Sequence, residues 1–203
     1  MSPASPANAG PAIADHDVLR GQQYGFLARA LASAPDADLL SAIARMDGDS
    51  GTPLGQAYDA LRQAAAKTAP KAVEREYFEL FIGVGRGELL PYASFYLTGF
   101  LNERPLADLR GDLARLGLAR AADRHEPEDH IAFLFEVMSG LAIGEHGVEG
   151  LDDRVFFTRH IAPWAAQFFD DLAIAPSAGF YRPLAEVGRV FVDIESRAFA
   201  FSG

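Results

Sequence analysis

Apolar side chains recur along this chain at steps of three and four residues, the spacing that keeps them on one face of an α-helix. Ile131, Leu134, Phe135, Met138 and Leu141 show it best, and Pro127 stands ahead of them where a first-turn proline belongs, so a helix is expected over 127–141. The same period marks Asp15 to Leu31, Leu39 to Met46, Pro53 to Leu61, Lys71 to Ile82 and Arg104 to Leu116. Asp152 to Leu172 carries Phe156, Ile161, Trp164, Phe168 and Leu172, with Pro163 expected to kink or divide it. In the last segment Val190 to Ile194 could alternate as a strand, but Leu184, Val187, Phe191, Ile194 and Ala198 favour a helix. With no strand pairs, no Asn-Gly hairpin turn and no internal repeat, the expected fold is all-α, a single-domain bundle of about seven to nine helices.

Composition supports a packed core. The 203 residues are 49% hydrophobic and 23% charged, with 15 Phe, enough apolar surface to offset the entropy of ordering. Residues 1–14, rich in Pro, Ala and Ser, read as a disordered N-terminal tail without the basic start and apolar stretch of a secretory signal. Residues 15–203 form the helical domain. No apolar run approaches the ~20 residues needed to span a bilayer, so membrane insertion is not expected and the cytoplasm is the expected compartment. The net charge of −10 disfavours nucleic acid and favours a cationic partner segment. The absence of cysteine excludes disulfides, thiolate nucleophiles and Cys-ligated zinc or iron–sulfur clusters.

Three stretches carry candidate chemistry. His125-Glu-Pro-Glu-Asp-His130 places two imidazoles and three carboxylates at a helix start. They can cap the helix, whose unpaired amides and dipole favour negative charge, or recognise a ligand or peptide, or hold a metal. Successive helical residues point ~100° apart, and the spacing is not the His-Glu-x-x-His of zinc enzymes, which weakens the metal option. The loop Gly83-Val-Gly-Arg-Gly87 follows a helix and lacks the Gly-Lys-Ser/Thr ending of a phosphate loop, so its glycines are read as permitting a tight turn. Pro91-Tyr-Ala-Ser-Phe-Tyr96 gathers aromatic surface around a hydroxyl, suited to core packing or to a groove for an apolar peptide. No nucleophile elbow or triad spacing is present, and His146 and His160 receive no role.

Two of these stretches together resemble the TorD/DmsD family of redox-enzyme maturation chaperones, related to the NarJ type. One runs Tyr77-Phe-Glu-Leu-Phe-Ile-Gly83 and continues through Leu90-Pro-Tyr-Ala-Ser-Phe-Tyr-Leu-Thr-Gly99; the other is Glu126-Pro-Glu-Asp-His-Ile131 followed by Met138. His160, Trp164 and Phe168 repeat a His-x-x-x-Trp-x-x-x-Phe pattern of relatives. The resemblance implies a non-enzymatic cytoplasmic chaperone without cofactor. It would bind the twin-arginine signal peptide, and the apo-form, of a molybdenum-cofactor oxidoreductase subunit, as a monomer or domain-swapped dimer. The family's peptide-binding surface would fall on Phe78, Phe81, Gly83, Pro91, Tyr92, Ser94, Tyr96, Glu126, Asp129 and His130, with Glu126, Glu128 and Asp129 as carboxylates at its rim. The competing readings are a metal-dependent hydrolase or sensor using the 125–130 cluster, and a generic helical interaction domain.

Overall fold

The structure is a computed structural model that describes residues 14–46, 48–118 and 126–201. The expected tail lies outside these residues except for Ala14, which precedes the first helix. Ten α-helices are present among the described residues, with no strand beyond two isolated bridges. They are α1 (Asp15–Ala32), α2 (Ala37–Ile43), α3 (Pro53–Lys67), α4 (Pro70–Tyr77), α5 (Ala93–Thr98), α6 (Arg104–Arg115), α7 (Ile131–Ala142), α8 (Asp153–His160), α9 (Ala165–Ile174) and α10 (Tyr181–Phe201), with a π-helical turn at Phe78–Ile82 after α4.

The strongly apolar α7 is the centre, burying Ile131, Leu134, Phe135, Met138 and Leu141 as the periodicity requires. The first helix packs antiparallel against it. The Ser139 hydroxyl donates to the Gly21 carbonyl at 2.8 Å, and Tyr24 meets Phe135 edge-on at 5.5 Å. Tyr24 also meets Phe191 of α10 at 4.7 Å, so the first and last helices close over the same core. Between α9 and α10 the fit demands glycine at 188, because a Cβ there would lie 2.2 Å from the Phe169 ring.

Polar groups fasten the same closure. Arg20 of α1 donates to both Glu195 oxygens, at 2.9 and 2.8 Å, and to Asp153 of α8 at 2.8 Å, while the Tyr24 hydroxyl donates to Glu195 at 2.9 Å. Glu195 is only 2% exposed, so its charge depends on these partners. On the opposite side the Glu76 carboxylate of α4 accepts the backbone N–H groups of Gly179, Phe180 and Tyr181 at 2.7 to 3.0 Å, capping α10 from outside its own sequence.

Two boundaries depart from the helical pattern. The segment expected as one helix over 71–82 leaves α-geometry at Phe78, where the Gly83 N–H bonds the Phe78 carbonyl at 2.7 Å across a wide turn. The turn buries Leu80, seats Phe81 on Tyr181 at 5.4 Å and leaves Phe78 and Ile82 exposed. Pro127 is not a first-turn residue: α7 begins at Ile131, since residues 127–130 form a turn closed by His130 N–H to Pro127 O at 3.2 Å. Elsewhere the pattern holds. The chain does divide around Pro163, between α8 and α9, and residues 190–194 lie within α10.

Candidate functional site

The two motif stretches form one structural element. The Ala93 N–H donates to the Asp129 carbonyl at 3.0 Å and the Ile131 N–H to the Pro91 carbonyl at 2.9 Å, an antiparallel bridge pairing Tyr92 with His130. Tyr92, the residue before α5, supplies no side-chain cap; Asp129 does so instead, its Oδ2 accepting the Ser94 N–H at 2.8 Å. His130 caps α7 through Nδ1, which accepts the Ala132 N–H at 3.1 Å. That bond assigns the remaining proton to Nε2, which faces the Glu126 carboxylate at 3.6 Å. The Tyr92 ring rests edge-on against the imidazole at 5.1 Å.

This joint corrects the expected rim of carboxylates. Asp129 and Ser94 are fully buried and Pro91 is buried too; Asp129 Oδ1 and Ser94 Oγ have no hydrogen-bond partner among the described residues. Glu128 is 11% exposed in its side chain and takes two hydrogen bonds from Arg110, at 2.8 and 3.0 Å. Glu126 remains outward, 54% exposed. Asp129 therefore holds the site's backbone together, and the accessible negative charge belongs to Glu126.

The aromatic residues divide between surface and support. Phe78 is 41% exposed, whereas Phe81 is wedged between Tyr77 at 5.1 Å and Tyr181 at 5.4 Å. Gly83 follows with φ 62°, and a Cβ there would stand 2.0 Å from the Arg86 carbonyl oxygen, so no other residue makes this turn unstrained. Backbone bonds from Glu88 to Glu79 (3.0 Å) and Leu89 to Leu80 (2.8 Å) carry the chain from the turn to Pro91. Tyr96 belongs to another neighbourhood: its ring lies 5.3 Å from Trp164 and its hydroxyl donates to Asp171 at 3.0 Å.

Tyr77, which the sequence reading left off the site, joins it. Burial, and then the Glu126 carboxylate, push its hydroxyl up to about 12. Tyr92 is raised too, by burial first and then by Glu126 and Asp129. One exposed carboxylate is thus felt by two tyrosines. The structure brings together Tyr77, Tyr92, Ser94, Glu126, Asp129 and His130, with Phe78 and Gly83 on the adjoining turn. Tyr77 opens one of the motif stretches, but nothing local in that stretch signals its proximity to Glu126.

The remaining motif is structural. His160 Nε2 lies 2.9 Å from Asp112 Oδ2, and Trp164 donates through Nε1 to the His160 carbonyl at 2.8 Å, clamping α6 to α8 and the start of α9. Arg159 and Arg115 also reach Asp112, each at 3.1 Å. Among the described residues no three His, Asp or Glu side chains are grouped to hold a metal ion; His125 lies outside them, and the metal-site reading gains no support. Among the same residues no helix is long and apolar enough to cross a membrane.

Comparison with known proteins points to one family and one fold. Residues 47–170, more than half of the chain, match the model of a family described as nitrate reductase delta subunit. A protein named chaperone protein TorD from Aliivibrio fischeri is 25% identical over 135 residues, covering 62% of this chain and 63% of its own length. TorD of Vibrio atlanticus is 26% identical over 154 residues, 70% of this chain and 71% of its own. TorD of Vibrio cholerae is 28% identical over 126 residues, covering 58% of this chain and 57% of its own. The match to the Aliivibrio and Vibrio cholerae relatives thus spans about three-fifths of their length. A crystal structure described as a redox enzyme maturation protein from Archaeoglobus fulgidus superposes with a TM-score of 0.53, 20% identity, and coverage of 93% of this chain and 99% of that one, a likeness of fold.

Proposed function

The chain belongs to the nitrate reductase delta subunit family, and on that premise we propose that it is a maturation chaperone without catalytic activity of its own. It holds the twin-arginine signal peptide, and the apo-form, of a molybdenum-cofactor oxidoreductase subunit in the cytoplasm before export. The observation that carries this reading is the Tyr92–His130 joint, which sets exposed Phe78 and Glu126 beside half-buried Tyr77 and Tyr92. Such a surface offers ring area to a greasy segment and a carboxylate to a guanidinium. A net charge of −10 adds long-range attraction for a doubly cationic guest.

In this mechanism Phe78 and Tyr92 contact the apolar part of the peptide, and Glu126 pairs with an arginine. Asp129, Ser94 and Pro91 hold the backbone of the site, while Phe81 and Gly83 fix its flank. A chaperone must release its client, so the dissociation constant is of roughly micromolar order, about −8 kcal/mol. Calorimetry with a signal peptide carrying Arg-Arg, and with its Ala-Ala counterpart, tests the reading: Arg-Arg binds more tightly, and Glu126→Gln erases the difference. Equal affinity of the wild-type protein for both peptides would refute it.

A further inference from the structure

Acids outnumber bases in this chain by 28 to 18, and two of its hollows mix the signs: Arg29 stands with Glu136 and Glu145 between α1 and α7, and Arg159 with Asp108 and Asp112 beside α6. A groove of about 530 Å³ between α8 and the last turns of α10 is different. Among the described residues its charged lining is Arg154 and Arg159, with no carboxylate. The floor is apolar. It forms where Phe157 of α8 meets Phe199 of α10, ring centres 5.2 Å apart, and Val155 and Ala162 extend it. Val155, Thr158 and Arg159 follow the steps of three and four that put them on one face of α8, and Arg154 adjoins that face.

The surroundings do not cancel this positive charge. Arg154 is exposed, and its guanidinium is unpaired among the described residues. The two acids ahead of it are engaged elsewhere: Asp152 caps α8 by accepting the Val155 N–H at 2.8 Å, and Asp153 takes Arg20 at 2.8 Å. Arg159, 51% exposed in its side chain, shares the Asp112 carboxylate with Arg115, each at 3.1 Å, so two guanidiniums face one carboxylate. On α10, Glu195 is matched by Arg20 and Asp193 by Arg197, each at 2.8 Å. We propose that this groove docks an acidic segment of a partner protein, one in which carboxylates flank a large apolar side chain. The apolar residue covers Val155 and Phe199, and the carboxylates reach Arg154 and Arg159. Those arginines are about 7.5 Å apart along the helix axis, a span suited to carboxylates about one helical turn apart in the guest. The net charge of −10 repels such a guest at a distance, so its attraction is confined to contact, where the apolar residue adds area. The sign is opposite to that of the guest assigned to the Tyr92–His130 surface, so the inference stands independently of the signal-peptide reading.

The probe is a fluorescein-labelled synthetic peptide of about 12 residues, ~18 Å long if helical, in which Glu residues flank Leu and Phe; its counterpart carries Gln at every Glu. By fluorescence anisotropy the wild-type chain should bind the Glu form about fivefold more tightly, and Arg154→Glu should weaken that form about fivefold, the scale of one exposed attraction exchanged for a repulsion. Arg45→Glu makes the same change of charge just after α2, outside the groove, and should bind as wild type. Ala200 is exposed and lines the groove, so the emission of an indole introduced by Ala200→Trp should shift to the blue as the Glu form is added, over a constant background from buried Trp164. Far-UV circular dichroism and thermal melting establish that the variants are folded. Equal binding of the Glu and Gln forms, no binding of either, equal losses in Arg154→Glu and Arg45→Glu, or a silent indole would each overturn the proposal. Two other occupants would overturn it as well. A concentration-dependent dimer in sedimentation equilibrium that Arg154→Glu dissolves assigns the groove to a second copy of this chain, and a blue shift with dodecanoate in a protein that ignores the peptide assigns it to an anionic amphiphile.

Discussion

Replacing Arg20 by Met should cost about 3–4 kcal/mol of stability at pH 7, and the cost should collapse on mild acidification. The guanidinium donates to both oxygens of Glu195 and to Asp153, and its side chain is 21% exposed against 2% for Glu195. Methionine keeps most of the stem and removes the charge, leaving a buried carboxylate with the Tyr24 hydroxyl alone. Breaking a buried pair in this way costs about 3–5 kcal/mol. An upper bound comes from protonation: an ordinary glutamate, with a pKa of about 4.3, takes up a proton at pH 7 for about 3.7 kcal/mol, after which it can be buried neutral. At pH 5 the same escape costs only about 1 kcal/mol. The missing guanidinium matters only while the buried carboxylate is charged, so the destabilisation is larger at pH 7 than at pH 5. A remainder of about 0.5–1 kcal/mol, from the lost stacking of Arg20 on Phe199 at 5.0 Å, does not depend on pH. Urea unfolding of wild type, Arg20→Met and Arg20→Met/Glu195→Gln at pH 5 and 7 measures all three quantities. The double variant should recover most of the loss at pH 7. A single variant equally destabilised at both pH values, with no recovery in the double, would show that the charge of Glu195 is not what Arg20 supports.

Glu76→Ala removes the acceptor of three backbone N–H groups at the start of α10 and should cost about 2 kcal/mol, seen in a thermal scan as a melting point lower by about 4–8 °C. His160 is held below its ordinary pKa by burial, against the opposing pull of Asp112, so the unfolded chain binds its proton first and stability declines as pH falls below about 6.5. Denaturation midpoints followed from pH 7.5 to 5 should show that decline in wild type and lose this component in His160→Phe. Asp112 acts lower: burial raises it, but hydrogen bonds from His160, Arg159 and Arg115 outweigh burial and leave it below the usual carboxylate range, so its contribution vanishes only below about pH 4.

What could be read in advance followed from local physics. The period of α7 and α10, and the break at Pro163, depend on residues a few positions apart, and the structure reproduces them. The motif stretches could be singled out by composition. Their union could not, because the Ser94 amide finds Asp129 across 35 positions of chain that no periodicity spans, and the Ala93 amide joins it there. Hence a carboxylate that reads as solvent-facing at a helix start is fully buried, and α7 begins at Ile131 after a turn that consumes Pro127. The π-helical turn was equally invisible: its geometry is settled by Phe81 packing on Tyr181, a hundred positions away, while Lys71 to Ile82 alone fits an ordinary helix. The groove beside α8 arises where the last turns of α10 meet it, and neither helix announces it alone.

The ion pair between Arg20 and Glu195 also sets a timetable for biogenesis. Synthesis runs from the N-terminus, so α1 is made long before α7 and α10, the helices on which Tyr24 packs. Until residue 195 has been translated, the guanidinium lacks its deepest counter-charge, and the face of α1 that carries Tyr24 stays wet. Consolidation of this bundle is therefore an event of the finished polypeptide, and a nascent chain stalled before α10 would present its first helix to whatever holdase waits at the ribosome.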